Sequence, residues 1–161
     1  MADKVKPVPE GYHTVTPYLI INGATAALDF YKKAFGATEL FRFPMPDGTI
    51  GHAEIRIGDS HIMLGDEPEE AMANTPDHQP FKSPKAIGRT SVCICLYVED
   101  VDALARQAVA AGAKELRPVV TQFYGDRSGT YEDPFGHVWT ISTHVEDVSP
   151  EEMMRRAQQA H

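Results

Sequence analysis

The hydrophobic pattern of the first half of the chain changes from period two to helical spacing and back. Residues 13–21 alternate between faces and are rich in β-branched side chains, which predicts a strand. Apolar residues then recur at helical spacing from Ala26 to Phe35, and Gly36 supplies a stop. Short strand-like segments follow at 40–43, 50–57 and 61–64. This half is predicted to fold as β-α-β-β-β.

The second half repeats that order. A strand is predicted at 90–98 and a helix at 101–111, with Asp100 as its cap and Gly112 as its stop, before strands at 116–120, 129–132 and 137–143. The string GATEL at 36–40 returns as GAKEL at 112–116, and subtracting 36 from 112 gives a period of 76 residues. A period of this size indicates a duplicated supersecondary module. Paired modules create a cleft, where a ligand would bind.

The predicted organisation is a single α+β domain with short extensions. An N-terminal arm covers 1–12, the domain covers 13–148, and a C-terminal helix is expected within 149–161. Inside the domain, module 13–66 and module 89–148 are joined by a polar, proline-bearing linker, 67–88.

Composition removes several classes of function. The chain has 161 residues and a formal charge of −8, with no basic cluster of the kind that nucleic-acid binding requires. No apolar run approaches a membrane span and residues 1–9 do not resemble a signal peptide, so we expect neither a membrane nor a nucleic-acid partner and a cytoplasmic location. Cys93 and Cys95 are two apart on one predicted strand, which favours two reduced thiols over a disulfide.

One face of each predicted sheet carries polar side chains. Aligning the first strands of the two modules places Thr16 and Tyr18 at the positions of Cys93 and Cys95, on the face away from the helices. On the strand 50–57 the alternation is regular. It directs Ala53, Ile55 and Ile57 to the core and His52, Glu54 and Arg56 to the open face.

These polar residues have two interpretations. His52, Glu54 and Arg56 could bind a polar ligand together with His61, or they could form an ordinary cross-strand ion pair on a half-exposed strand. Trp139 is expected to fill the core, and His137 to hydrogen-bond the turn that precedes it.

Several strings in the chain resemble a known superfamily. The strings VTPYLIINGATAALDFYKKAFGATELFR, HAEIRIGDSHIMLGDE, LYVEDVDAL, YGDRSG and DPFGHVWTISTH resemble the vicinal oxygen chelate superfamily, and in particular its PhnB-like branch of glyoxalase and bleomycin-resistance proteins. The resemblance covers about residues 13–148. It implies two βαβββ modules whose strands form a concave mixed sheet with helices on the outer face, commonly in a homodimer. The same fold hosts isomerases, dioxygenases and drug-binding proteins.

The resemblance also indicates where a metal would bind. Metal-dependent relatives carry His, Glu or Gln at four positions, on the first and last strand of each module. Here the matching residues are Thr16 (or Thr14), Met63 (or Leu64), Cys93 (or Ser91) and Thr140. Hydroxyl and thioether groups are poor ligands for a hard divalent cation. We therefore predict no metal and no other cofactor, although a divalent ion at a different site stays an alternative.

The YGDR string offers two further candidates. Arg127 could grip a ligand carboxylate or phosphate at the cleft mouth, with Tyr124 as an aromatic wall. Alternatively, Asp126 and Arg127 could form a pair that braces the loop.

The sequence leaves three functions open. The first is a homodimeric, metal-independent protein that binds a small molecule in its cleft. The predicted ligand-binding residues are Thr16, Tyr18, His52, Glu54, His61, Met63, Cys93, Tyr124, Arg127 and Thr140. The second is a lyase, isomerase or dioxygenase-type enzyme in which Glu54 is the candidate catalytic base. The third is a protein whose dimer surface is its function and whose cleft is closed.

Overall fold

A computed structural model describes residues 5–68 and 81–159 of the chain. The chain divides into two compact units, Met1–Gly88 and Arg89–His161. Each unit contains a four-stranded mixed sheet and a helix in the order β-α-β-β-β. The predicted α+β class and the two tandem βαβββ modules are confirmed.

The first unit orders its strands β1-β4-β3-β2. The first strand runs parallel to the fourth, while the other neighbours are antiparallel. Its elements are β1 (Tyr18–Ile21), α1 (Ala24–Phe35), β2 (Thr38–Pro44), β3 (Ile50–Ile57), β4 (Ser60–Asp66) and the single turn α2 (Pro84–Ile87).

The second unit repeats this topology as β5-β8-β7-β6. Its first strand is again parallel to its last. The elements are β5 (Cys93–Tyr97), α3 (Val101–Ala111), β6 (Lys114–Thr121), β7 (Asp126–Glu132), β8 (Val138–His144) and α4 (Pro150–Gln159).

The core of the first unit lies between its sheet and α1. Ala53, Ile55 and Ile57 of β3 are buried, as their alternation predicted. They pack with Leu19, Ile21, Ile62 and Leu64 of the neighbouring strands, and α1 lies against β2, β3 and β4. The opposite face of this sheet remains partly open and carries the polar residues.

Trp139 is the largest buried side chain of the second unit. Its exposed fraction is 0%, and it lies beside Tyr131 in the sheet register. The indole Nε1 donates a hydrogen bond of 2.9 Å to Asp133 Oδ2, so a buried polar atom is satisfied. The other Asp133 oxygen accepts from the backbone N–H groups of Phe135 and His137, which closes the turn before β8. The predicted core position of Trp139 is confirmed.

The last strand of each unit also holds the start of that unit's helix. In the first unit, Asp66 Oδ1 accepts from the N–H groups of Gly23 and Ala24, at 2.9 Å and 2.8 Å. In the second, Thr143 Oγ1 accepts from Val101 N at 2.9 Å. Helix N-termini leave donors without intrahelical partners, and these side chains satisfy them from the adjacent strand.

The predicted boundaries are accurate at the helices and at β3, and less so at the first strands. Asp100 caps α3 through a 2.9 Å bond from Ala103 N, and Gly112 ends it, as predicted. Strand β1 begins only at Tyr18, because Pro17 has no N–H to donate to the ladder. The predicted strand start at residue 13 is therefore wrong, and Thr16 lies outside the strand.

The second half of the predicted linker folds onto the first unit. Ser83 is fully buried and caps α2, and its hydroxyl donates a 2.6 Å bond to Glu67. Residues 69–80 of that linker lie outside the described part of the chain. The C-terminal helix forms as predicted, and Arg156 ties it to Glu146 and to the carbonyl of Phe123.

Candidate functional site

Five of the predicted site residues lie on or beside the open face of the first unit. Tyr18 is paired in register with Met63, and Met63 with Glu54, so these three follow one row across β1, β4 and β3. His52 lies two residues before Glu54 on the same face of β3, and His61 lies two residues before Met63 on β4. The clean alternation of both strands brings these side chains together.

A chain of hydrogen bonds connects the polar side chains of this face. His52 Nε2 lies 3.1 Å from Glu54 Oε1, and His52 Nδ1 lies 3.1 Å from the hydroxyl of Tyr18. The hydroxyl of Tyr12 donates to the other oxygen of Glu54. His52 and Glu54 lie on the same strand, so their contact is not the cross-strand ion pair that was one interpretation of this face. Tyr12 was not foreseen, because nothing in its local sequence signals a partner 42 residues away.

Hydrogen bonds and burial shift the pKa values of Glu54 and Tyr12 in opposite directions. The bond from Tyr12, followed by the one from His52, lowers the pKa of Glu54, although burial opposes the shift. Burial and the same bond to Glu54 raise the pKa of Tyr12 to about 12, so Tyr12 stays a donor. Glu54 is thus held as a carboxylate, which makes it a weaker proton acceptor than an ordinary glutamate.

His61 lies against the N-terminal arm. The Tyr12 ring meets the His61 ring edge to face at 4.3 Å between centroids. A Cβ placed on Gly11, whose φ is +82°, would come within 2.8 Å of the His61 ring, so glycine allows this close approach. The Nδ1 atom of His61 is buried without a hydrogen-bond partner in the described structure.

Next to this network the first unit contains a cavity of about 710 Å³, a size common for small-molecule sites. Tyr18 and His52 reach its wall from the hydrogen-bond network. The rest of the wall is mostly apolar and comes from β1, the β2–β3 hairpin and the chain around Phe81. The lining residues are Tyr18, Ile20, Phe43, Met45, Asp47, Thr49, Ile50, Gly51, His52, Asp66, Glu67, Pro68 and Phe81.

The open face of the second unit carries thiols and hydroxyls. Cys93 Sγ lies 3.2 Å from Thr140 Oγ1, which lies 3.2 Å from Thr130 Oγ1. Both cysteines are free and exposed, as predicted. Burial and the neighbouring Cys93 raise the pKa of the Cys95 thiol, so it is a poor thiolate nucleophile. That Cys93 and Thr140 share a cleft with the first unit's residues stays a prediction.

Arg127 does not lie where the sequence suggested. It shares the buried face of β7 with Tyr131, and its guanidinium donates two bonds of 2.7 Å to Asp102 of α3. Its place at a cleft mouth is therefore wrong, since the strand alternation turns it towards the helix. Its pairing with Asp126 is also wrong, because Asp126 has other partners. Tyr124 stacks edge to face with Phe123, at 5.3 Å between ring centroids.

Asp126 forms the centre of a second titratable cluster. Its carboxylate accepts a 2.7 Å bond from the hydroxyl of Tyr97 and contacts His144 Nδ1 at 2.8 Å, while His144 Nε2 lies 2.9 Å from Asp147. These bonds, to Asp126 first, raise the pKa of His144. Burial alone would raise the pKa of Asp126, but the bonds from His144 and Tyr97 outweigh it and lower that pKa.

This cluster predicts a bell-shaped stability difference between the wild type and His144→Gln. The raised pKa means that protonated His144 stabilises the fold fully below its ordinary value of 6.5, and that this is lost as pH rises through the folded pKa. Ionised Asp126 stabilises the fold above its ordinary pKa of 3.8, and this stabilisation is lost as pH falls through its lowered pKa. Urea unfolding across pH should therefore show the largest difference between about pH 4 and pH 6.5. A difference that grows above about pH 8 would contradict the pairing.

The four positions that the sequence resemblance assigns to a metal do not fit a hard divalent ion. The backbone register pairs Tyr18 with Met63 and Cys95 with Thr140, and the Cys93 thiol also lies 3.2 Å from the Thr140 hydroxyl. A phenol, a thioether, a thiol and a hydroxyl provide neither a carboxylate nor an imidazole at these places. Within 5–68 and 81–159, no three His, Cys, Asp or Glu side chains are grouped so that they could hold a metal ion.

A second depression, of about 470 Å³, lies on the helix side of the second unit. It is bounded by α3 and by β6 and β7, and it includes Asp102, Arg106 and Tyr131. None of the predicted ligand-binding residues lines it.

In the described part of the chain, no helix is long and apolar enough to cross a membrane.

Comparison with protein families agrees with this geometry. Residues 12–141 match the model of the Glyoxalase/Bleomycin resistance protein/Dioxygenase superfamily. The chain belongs to this superfamily. The superfamily named by the sequence resemblance is confirmed, whereas its PhnB-like branch stays a prediction.

Two proteins similar to this chain come from mycobacteria. An uncharacterized protein of Mycobacterium bovis is 39% identical over 139 residues, which cover 86% of this chain and 88% of that protein. An uncharacterized protein of Mycobacterium tuberculosis H37Rv is also 39% identical, over 86% of this chain and 79% of its own length.

Solved structures show the same fold. TioX from Micromonospora sp. ML1 is 26% identical with a TM-score of 0.63, covering 83% of this chain and 99% of TioX. A point mutant of the fosfomycin resistance protein FosX from Listeria monocytogenes, complexed with Mn(II) and a dihydroxypropylphosphonic acid, has a TM-score of 0.59. The match covers 90% of this chain and 97% of FosX, but its 18% identity shows the fold alone.

Proposed function

We propose that this superfamily member binds a small, largely apolar molecule on the open face of its first unit, without the usual metal site. The observation that supports this is the 710 Å³ cavity, because it joins an apolar and aromatic wall to the hydrogen-bonded pair of Tyr18 and His52. A few oriented polar groups in an apolar cavity are typical of ligand sites. Glu54, His61 and Met63 would support this wall from the same sheet face.

The donor set supports a metal-independent form of that function. A thioether and neutral oxygen or sulfur groups would not repay the dehydration of a hard ion at the four expected positions. Elemental analysis of the purified protein should therefore find no stoichiometric divalent metal. One tightly held ion per chain, lost on replacing Glu54 or His52, would contradict this part of the proposal.

We also propose the PhnB-like branch and a homodimer, for which the strings YGDR and DPFGH and the overall resemblance provide the support.

The enzymatic alternative is less well supported, because the lowered pKa of Glu54 weakens it as a base. If a lyase or isomerase reaction exists, Glu54→Gln should abolish turnover, whereas a binding protein should only change in affinity. Light scattering on the purified chain, which reports its mass, tests the dimer.

Phe43 and Phe41 provide a matched pair of variants for the binding proposal. Both lie on β2 with similar exposed fractions, 53% and 50%, but only Phe43 lines the cavity. We expect Phe43→Ala to weaken binding of the neutral dye Nile red by roughly tenfold, since the variant would lose the apolar area of the ring that the ligand covers, worth about 1–3 kcal/mol. Phe41→Ala should change the affinity less than about twofold. Fluorescence titration measures both, and equal losses would contradict a ligand in this cavity.

A further inference from the structure

We propose that the cavity selects ligands that donate hydrogen bonds. It therefore binds carboxylate and phosphonate ligands more weakly. This inference rests on the binding function proposed above and specifies its ligand class. The described polar side chains of the cavity wall present hydrogen-bond acceptors to the ligand, because their own hydrogens bond to other protein groups.

The Glu54 carboxylate fixes the tautomer of His52. An ionised carboxylate accepts hydrogen bonds only, so the Nε2 atom of His52 at 3.1 Å must carry the hydrogen. In the neutral imidazole, Nδ1 is then left with a lone pair. That lone pair lies 3.1 Å from the hydroxyl of Tyr18, which therefore donates to His52.

The hydrogen of Tyr18 is consequently not available to a ligand. The backbone carbonyl of Gly51, at 3.4 Å, is its alternative acceptor and also lies within the protein. Burial raises the pKa of Tyr18, so it stays a phenol at neutral pH. What Tyr18 offers to the cavity is the lone pairs of its oxygen, which accept a hydrogen bond.

The remaining polar groups of the wall are acceptors too. Asp47 accepts from Thr49 N and from the Thr49 hydroxyl, whose hydrogen is thereby used. Asp66 accepts from Gly23, Ala24 and Ile50, and Glu67 accepts from Ser83. Each carboxylate has about four lone-pair sites, so these bonds leave capacity for further donors.

Positive charge is scarce at this wall. No lysine or arginine is among its described lining residues, and the sequence of residues 69–80 contains neither. The Lys82 ammonium lies 3.3 Å from Glu67 and compensates that carboxylate, which leaves Asp47 and Asp66 as negative charges. An anionic ligand would meet acceptors and like charge, whereas an ammonium or hydroxyl group would meet partners.

Three probes with one ring system test the inference: 2-naphthylmethylamine, 2-naphthylmethanol and 2-naphthoate, titrated calorimetrically at about pH 7. The amine should bind most tightly, the alcohol next, and the carboxylate at least about tenfold more weakly than the amine, as expected for one buried charge-assisted bond gained against one repulsion. Tyr18→Phe should weaken the amine and the alcohol by about fivefold and leave the carboxylate unchanged. Tyr97→Phe, outside the cavity, should leave all three affinities unchanged.

The outcomes separate this inference from the proposed function. If 2-naphthoate binds as tightly as the amine and Phe43→Ala weakens both, the ligand class is wrong and the cavity is still the binding site. If Phe43→Ala leaves all three affinities unchanged, or if none of the probes binds, the proposed function fails and the inference fails with it. A Tyr18→Phe variant that binds the amine and the alcohol as tightly as the wild type would overturn the role of the Tyr18 oxygen.

Discussion

Replacing Trp139 with Ala is expected to destabilise the protein by about 3–5 kcal/mol, because it leaves a cavity the size of an indole in the core. The side chain is fully buried and its Nε1 is the donor to Asp133, so packing and a buried hydrogen bond are lost together. Urea denaturation followed by circular dichroism measures the loss. At this chain length the melting temperature should fall by roughly 6–20 °C.

Two controls separate packing from hydrogen bonding at this position. Trp139→Phe keeps a ring but removes the donor, and should cost about 1–3 kcal/mol. Phe123→Ala truncates an aromatic that is 39% exposed, and should cost less than Trp139→Phe. If Trp139→Ala cost no more than Phe123→Ala, the assignment of Trp139 to the core would be contradicted.

Replacing Asp66 with Ala is expected to cost about 3 kcal/mol or more and to weaken ligand binding. Its carboxylate accepts three backbone N–H groups, of which those of Ala24 and Ile50 belong to buried residues. Each buried donor left without an acceptor costs about 1–3 kcal/mol. Because Ile50 and Asp66 also line the cavity, the start of β3 should lose its fixed position and the affinity for Nile red should fall.

Asp66→Asn tests this explanation, because an amide keeps one acceptor oxygen and replaces the other with a donor. It should therefore retain one set of these bonds and give a stability between those of the wild type and Asp66→Ala. Asp59→Ala serves as the matched control, since Asp59 is exposed and accepts only from the neighbouring Ser60 in the described contacts. If Asp66→Ala and Asp59→Ala were equally stable, Asp66 would not hold the helix and strand together.

The fold could be predicted from the sequence, because the local patterns of alternation, helical spacing and capping agree with the global fold. Strand β3 and helix α3 match their predicted bounds, since strict alternation and a paired cap and stop define them. Strand β1 was predicted too long, because a β-branched run does not show that the proline at its centre interrupts the ladder. Periodicity also identified the correct core face of β3, and with it the positions of His52 and Glu54.

The site was only partly readable, because its missing parts depend on long-range contacts. Tyr12 reaches Glu54 from an arm that shows no periodicity, and Asp66 meets the start of α1 across a sequence separation of 42 or 43 positions. Arg127 was misplaced because the hairpin register, which its own string does not specify, decides the face to which it points. The cavity wall from the β2–β3 hairpin and Phe81 has no sequence signal of its own.

Chemical-shift mapping is the most direct test of binding on the open face of the first unit. With ¹⁵N-labelled protein and 2-naphthylmethylamine, the backbone amides that shift should cluster at Tyr18, Ile20, Phe43, Gly51 and His52, around the cavity of the first unit. The amides beside Cys93 and Thr140 then report whether the second unit responds. If no amide of the first unit shifted, or if the shifts were confined to the second depression beside α3, the proposed site would be contradicted.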